Sequence, residues 1–175
     1  MKQKEIFLQP GEFFVGDASH RIRTVLGSCV SVTLWNPIEK VGAMSHFLLA
    51  TRSAGAGLSA GSLRGMDGRY GDEALQLMLH ELRRRGTQPA LCQAKIFGGG
   101  DMFPRRRVRG ALAIGRRNGE AARQLLQARG IEVISESLFG EGHRQIAFDV
   151  NTGHVWARQL PPSAEPNTHF RDTAA

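Results

Sequence analysis

Cysteine is scarce in this 175-residue chain, which has only Cys29 and Cys92. Two cysteines in a chain this long build no disulfide framework, and neither a CxxC pair nor a Cys/His quartet at zinc spacing is present. A reducing, cytoplasmic setting is the simplest expectation. Long apolar runs are also lacking. The opening residues, MKQKEIFLQPGEFF, contain no signal-type apolar core, and no stretch approaches the ~20 apolar residues that span a bilayer. Direct membrane insertion is therefore not expected. The Gly-x-Ser-x-Gly elbow of serine hydrolases is missing. No GxGxxG opens a helix, and no Lys-Ser or Lys-Thr follows Gly98-Gly99-Gly100. Those glycines read as a turn or a close backbone approach rather than a phosphate loop. His20, His80, His143, His154 and His169 are not arranged as a metal set, and no spacing supports paired-carboxylate chemistry. No metal or cofactor is expected. There is no internal repeat.

Basic charge is abundant. The formal net charge is +7, and the pI is about 10.4. This balance favours an acidic partner without choosing among nucleic acid, an anionic membrane surface and an acidic protein. Arginines at 105, 106, 107, 109, 116 and 117 form a basic stretch. It reads by default as a solvated face, and more sharply as contact with an acidic partner through Arg105, Arg106 and Arg107. Phe103 is the one aromatic close by, which gives little support to base stacking, so no nucleic-acid partner is expected. Apolar residues make up 41% of the chain, enough for a real core. One domain is expected over 1–160, with a C-terminal tail at 161–175 (PPSAEPNTHFRDTAA) whose lack of periodicity predicts disorder.

Alternation predicts strands at 21–26 (RIRTVL) and 30–35 (VSVTLW), with Gly27-Ser28 as a bend or bulge between them. Asn36-Pro37 turns the chain into a partner strand at 41–50. There Val41, Ala43, Ser45 and Phe47 share one face, and Gly42, Met44, His46 and Leu48 the other. A long Gly/Ser-rich loop covers 51–69. The segment DEALQLMLHELRRRG reads as a helix capped by Asp72 and stopped by Gly86, with Leu75, Met78, Leu79 and Leu82 on its apolar stripe and His80 at the surface. A buried strand follows at 91–97, with Cys92 in the core. Asn118 is expected to cap a second helix, GEAARQLLQAR. Strands at 131–136, 144–150 and 154–159 complete the pattern, the last two joined as a hairpin by Asn151-Thr152-Gly153. The order predicts an α+β fold: a compact sandwich of mostly antiparallel strands with two packed helices.

The stretch TVLGSCV, followed on the partner strand by SHF, carries the most chemistry. Cys29 is either a small buried apolar residue or a nucleophile with His46 as its base. A third group must hold the imidazole in the useful tautomer. Thr24 suits this role if its strand lies beside that of His46. Backbone N–H groups around Gly27, Ser28 and Cys29 could form an oxyanion hole.

The strings TVLGSCVSVTLWNP, KVGAMSHFLL, GRYGDEAL, AKIFGGGDMF, IGRRN, GIEV and FDVNTGHVW resemble the CheD family, the chemoreceptor glutamine deamidases of bacterial chemotaxis, from about residue 10 to 160. One departure is LFGEGHRQIAFDV, where the family commonly shows Gly-Gly and then Gly-Arg, so the loop around 139–144 is expected to differ in shape or contacts. The resemblance implies a compact α/β sandwich with two helices. It also implies Cys29 as nucleophile, His46 as general base and Thr24 as the third member. The implied reaction hydrolyses a glutamine side-chain amide in the cytoplasmic region of methyl-accepting chemotaxis proteins. CheC, a response-regulator phosphatase, is an implied partner. A chain acting mainly as a non-catalytic partner of receptors or of CheC is the alternative.

Overall fold

The computed structural model describes residues 2–52, 62–104 and 111–161. Strands form at β1 (Lys4–Phe7), β2 (Phe13–Gly16), β3 (His20–Leu26), β4 (Val30–Asn36) and β5 (Val41–Ser45). Then come α1 (Gly71–Arg84), a 3-10 turn (Pro89–Leu91), β6 (Gln93–Gly98), α2 (Ala111–Gln127), β7 (Val133–Leu138), β8 (Arg144–Asp149) and β9 (Val155–Gln159). The strands make a four-stranded sheet in the order β1-β3-β8-β9 and a five-stranded sheet in the order β2-β5-β4-β6-β7. Two pairings, β1 with β3 and β6 with β7, are parallel. The other five are antiparallel. The expected α+β sandwich is what the chain forms.

Two apolar clusters set the layers. Val30, Val32, Leu34, Ala43, Phe47 and Ile96 pack against Leu75, Met78, Leu79 and Leu82 of α1 and Ala122 and Leu126 of α2. On the other face of the five-stranded sheet, Met44 and Phe97 meet Ile22, Leu26, Ile146 and Phe148 of the smaller sheet. Because the five-stranded sheet is covered on both sides, β4 is buried along nearly all of its length despite its alternating sequence. The face assignment of the 41–48 segment holds, with Ala43 and Phe47 toward the helices and Met44 toward the second sheet.

Several local expectations shift. Asp72 does not cap α1: the helix starts at Gly71 without a side-chain cap. Its first two N–H groups bond backbone carbonyls, Gly71 to Leu49 (2.8 Å) and Asp72 to Ala50 (3.1 Å), while the Asp72 carboxylate, from inside the first turn, accepts the Glu73 N–H (2.9 Å). Asn118 does not cap α2 either, since the helix begins at Ala111 and Asn118 lies buried within it. The strand expected at 91–97 begins at Gln93, because Pro89 opens a 3-10 turn that occupies Leu91. Cys92 is in the core, and burial pushes its thiol up to about 11. His80 is exposed. The 161–175 tail lies outside the described residues except for Pro161, as does 53–61 of the long loop.

Candidate active site

The 26–30 segment is not a simple hairpin bend. β3 belongs to the four-stranded sheet and β4 to the five-stranded one, so Gly27, Ser28 and Cys29 carry the chain from one layer to the other. All three carbonyls of this crossover are engaged from behind. The Gly100 N–H donates to Gly27 O and the Gly99 N–H to Cys29 O, both at 2.9 Å. The Asn118 side-chain amide donates to Ser28 O (3.2 Å) and to Leu48 O (2.7 Å). The glycine triplet therefore makes a close backbone approach. Gly98 has φ +110°, and a Cβ there would lie 2.2 Å from Cys29 O. With their carbonyls tied down, the N–H groups of Gly27 and Ser28 donate to no backbone or side-chain acceptor among the described residues, and that of Cys29 faces only its own sulfur.

His46 follows directly on β5. The Ser45 hydroxyl receives the Val32 N–H (3.3 Å), taking a place in the ladder between β4 and β5. The backbone of His46 turns instead to the β1–β2 connection, donating to Glu12 O (2.9 Å) and accepting from Gly11 N–H (2.8 Å). Phe47 rejoins Val30 through two backbone bonds. His46 is thus gripped on both sides and is only 3% exposed.

Thr24 is not on a strand beside His46, as the sequence reading required. It reaches His46 across the sandwich from the opposite sheet, and the contact forms nonetheless: Thr24 Oγ1 lies 2.7 Å from His46 Nδ1. The same hydroxyl donates to Leu8 O (2.8 Å). A threonine hydroxyl has one proton, so it accepts from His46, which places the imidazole proton on Nδ1 and leaves a lone pair on Nε2. Burial lowers the His46 pKa to about 4, against the opposing pull of the Leu8 carbonyl and the Glu12 charge. Burial raises that of the Cys29 thiol, partly offset by its own N–H. Both shifts favour the neutral form, of the thiol and of the imidazole.

Thr24, Gly27, Cys29 and His46 line one cleft of about 420 Å³, together with His143, Val25 and the chain from Phe7 to Pro10, whose one polar side chain is Gln9. No Lys, Arg, Asp or Glu is in that lining. Two residues near the site escaped the sequence reading. Asn118 falls on the buried stripe Gly115, Asn118, Gly119, Ala122 and Leu126, where a polar side chain signals a buried partner rather than a cap. His143 lacks metal-ligand spacing in the sequence, and only the fold brings it to the cleft. Arg105, Arg106 and Arg107 lie outside the described residues. Among the described residues, no group of three or more His, Cys, Asp or Glu could hold a metal ion. No helix among them is long and apolar enough to cross a membrane.

A family model described as CheD chemotactic sensory transduction matches residues 54–159. A probable chemoreceptor glutamine deamidase CheD 2 of Albidiferax ferrireducens is 60% identical over 92% of this chain and 90% of its own. A probable chemoreceptor glutamine deamidase CheD 3 of Dechloromonas aromatica is 42% identical over 87% of this chain and 85% of its own. A probable chemoreceptor glutamine deamidase CheD 1 of Chromobacterium violaceum is 42% identical over 88% and 77%. Among solved structures, the hypothetical protein YfiH of Bacillus licheniformis covers 71% of this chain and 49% of its own at a TM-score of 0.43 and 16% identity, too slight a likeness to carry weight. On the family match and the high identity along nearly the whole chain, this protein belongs to the CheD family.

Proposed function

We propose that this chain is a glutamine deamidase of chemoreceptors, with Cys29 as nucleophile, His46 as general base and Thr24 as the residue that orients the base. The observation that carries this reading is the Leu8–Thr24–His46 hydrogen-bond chain, which leaves His46 Nε2 unprotonated in the cleft that holds Cys29. The names of the curated relatives point the same way.

The chemistry follows from the neutral resting pair. Cys29 Sγ attacks the amide carbon of a glutamine side chain as its proton passes to His46 Nε2. The carbonyl oxygen takes up negative charge and is held by N–H groups of the Gly27-Ser28-Cys29 crossover. The imidazolium returns the proton to the nitrogen, and ammonia leaves a thioester. Water adds to the thioester with Nε2 as base, and collapse expels Cys29, which regains its proton. The products are a glutamate side chain and ammonia. Because neither group is ionised at rest, the proton moves with the attack.

The substrate lies in the cytoplasmic region of a receptor, which places the enzyme in the cytoplasm. A receptor surface rich in Glu and Gln suits the +7 charge. Replacing Arg105, Arg106 and Arg107 by Ala is expected to weaken receptor binding most at low salt, as read by titration at several ionic strengths. A CheC-type phosphatase is the further partner that the resemblance implies, and co-purification would test it.

The deciding experiment incubates the purified protein with a receptor cytoplasmic fragment and follows amide-to-acid conversion by mass spectrometry. Conversion is expected with the wild type and its loss with Cys29→Ala. Binding without conversion across several receptors would favour a partner-only role.

A further inference from the structure

His143 shares the cleft with Cys29 and His46. It stands immediately before β8, and Leu26 of β3 pairs with Arg144 next to it. Its place is fixed from both sides. The Leu160 N–H donates to His143 O (2.8 Å), and the Gly142 N–H donates to Asp101 O (2.8 Å). The buried Arg144 guanidinium donates to the carbonyls of Gly98 (2.9 Å), Ser137 (2.7 Å) and Phe139 (2.7 Å). An imidazole carried on backbone held this firmly is pre-positioned rather than adaptable.

The ring has two unlike ends. His143 Nδ1 is sealed from solvent and has no hydrogen-bond partner, whereas Nε2 is not among the sealed atoms. A buried lone pair without a partner costs less than a buried N–H without one, so the proton belongs on Nε2. Burial also disfavours the charged form of this ring. The cleft therefore presents two neutral imidazoles of opposite character: His46 offers a lone pair at Nε2, and His143 offers an N–H. A primary carboxamide has the matching pair of groups, an NH2 that donates and a carbonyl oxygen that accepts. A carboxylate has only acceptors, which the His46 lone pair repels, and among the described residues no cationic side chain lines the cleft to attract it.

We propose that His143 is a substrate-contacting residue that donates its Nε2–H to the side-chain carbonyl oxygen of the glutamine and selects carboxamide over carboxylate. This rests on the deamidase reading above. The donor strengthens its bond as that oxygen becomes the oxyanion, so its contribution falls mainly on kcat. It also favours departure of the glutamate product.

The test compares wild type, His143→Phe, His143→Gln and Cys29→Ala on a receptor cytoplasmic fragment. Conversion is followed by mass spectrometry, and the reaction of Cys29 with methyl methanethiosulfonate is timed in parallel. That small neutral reagent needs no oxyanion donor, so its rate reports an intact cleft and thiol. His143→Phe is expected to lower kcat by about 10²-fold with the thiol rate unchanged, and His143→Gln, which keeps a side-chain N–H, to recover about tenfold of that loss. Equal conversion by wild type and His143→Phe would overturn this proposal alone. So would a matching fall in thiol rate and conversion in both variants, which would mark a structural role. A wild type that converts no glutamine although Cys29 still reacts would remove the deamidase reading and this proposal together.

Discussion

A single hydroxyl at Thr24 fixes which nitrogen of His46 carries the proton, because its own proton is committed to Leu8 O. Thr24→Ala is expected to leave the protein folded and to slow deamidation by about 10²-fold, with Thr24→Ser restoring most of the rate, since serine keeps both bonds. Steady-state rates for the three proteins check this. His46 also ties stability to pH. Its folded pKa of about 4 lies below the ordinary 6.5, so between those values the unfolded chain binds a proton that the folded chain does not. Stability is therefore fully present above pH 6.5 and is lost as pH falls toward 4, by about 3 kcal/mol over the window. Denaturant titrations across that range are expected to show the slope, and His46→Gln to flatten it. That Cys29 and His46 share one cleft is legible in the sequence, because a cysteine beside Gly-Ser and a histidine on the partner strand are local facts. The route by which Thr24 reaches His46 is not, because nothing in TVLGSCV says that the chain changes sheets there.

Among the elements, α2 acts on the site from a distance. Its Asn118 amide bridges Ser28 O and Leu48 O and so joins the crossover to the chain just past His46. Asn118→Ala leaves two half-buried carbonyls short of a donor. It is expected to cost about 2 kcal/mol in denaturant stability and to reduce the reactivity of Cys29 toward small thiol reagents. The sequence reading placed this asparagine at a helix start because capping is its commonest helical role. Here tertiary partners claim the side chain, and the helix runs on in front of it. The same competition explains Asp72: carbonyls at Leu49 and Ala50 already satisfy the first two N–H groups of α1, so its carboxylate serves the next one, on Glu73, from inside the helix. Stripes and alternation foretold the helices and most strands, whereas helix starts depend on neighbours that local sequence does not name.

At the scale of the whole molecule, the two sheets are held together by an apolar layer and by polar bonds that cross it, among them Arg144 to the carbonyls of Gly98 and Ser137 and Thr24 to His46. The proposed base, His46, thus follows a strand of one sheet while the Thr24 hydroxyl it bonds stands on the other. Warming that lets the layers part slightly would separate imidazole from hydroxyl while each sheet still keeps its own ladder. Heat is therefore expected to silence the enzyme before it melts the protein: deamidation measured during a temperature ramp should fall at a lower temperature than the far-ultraviolet strand signal, and should return on cooling from that interval. Coincident loss of both signals would mean that the sandwich opens only as it unfolds. The activity would then serve as a gauge of how tightly the two layers are clasped.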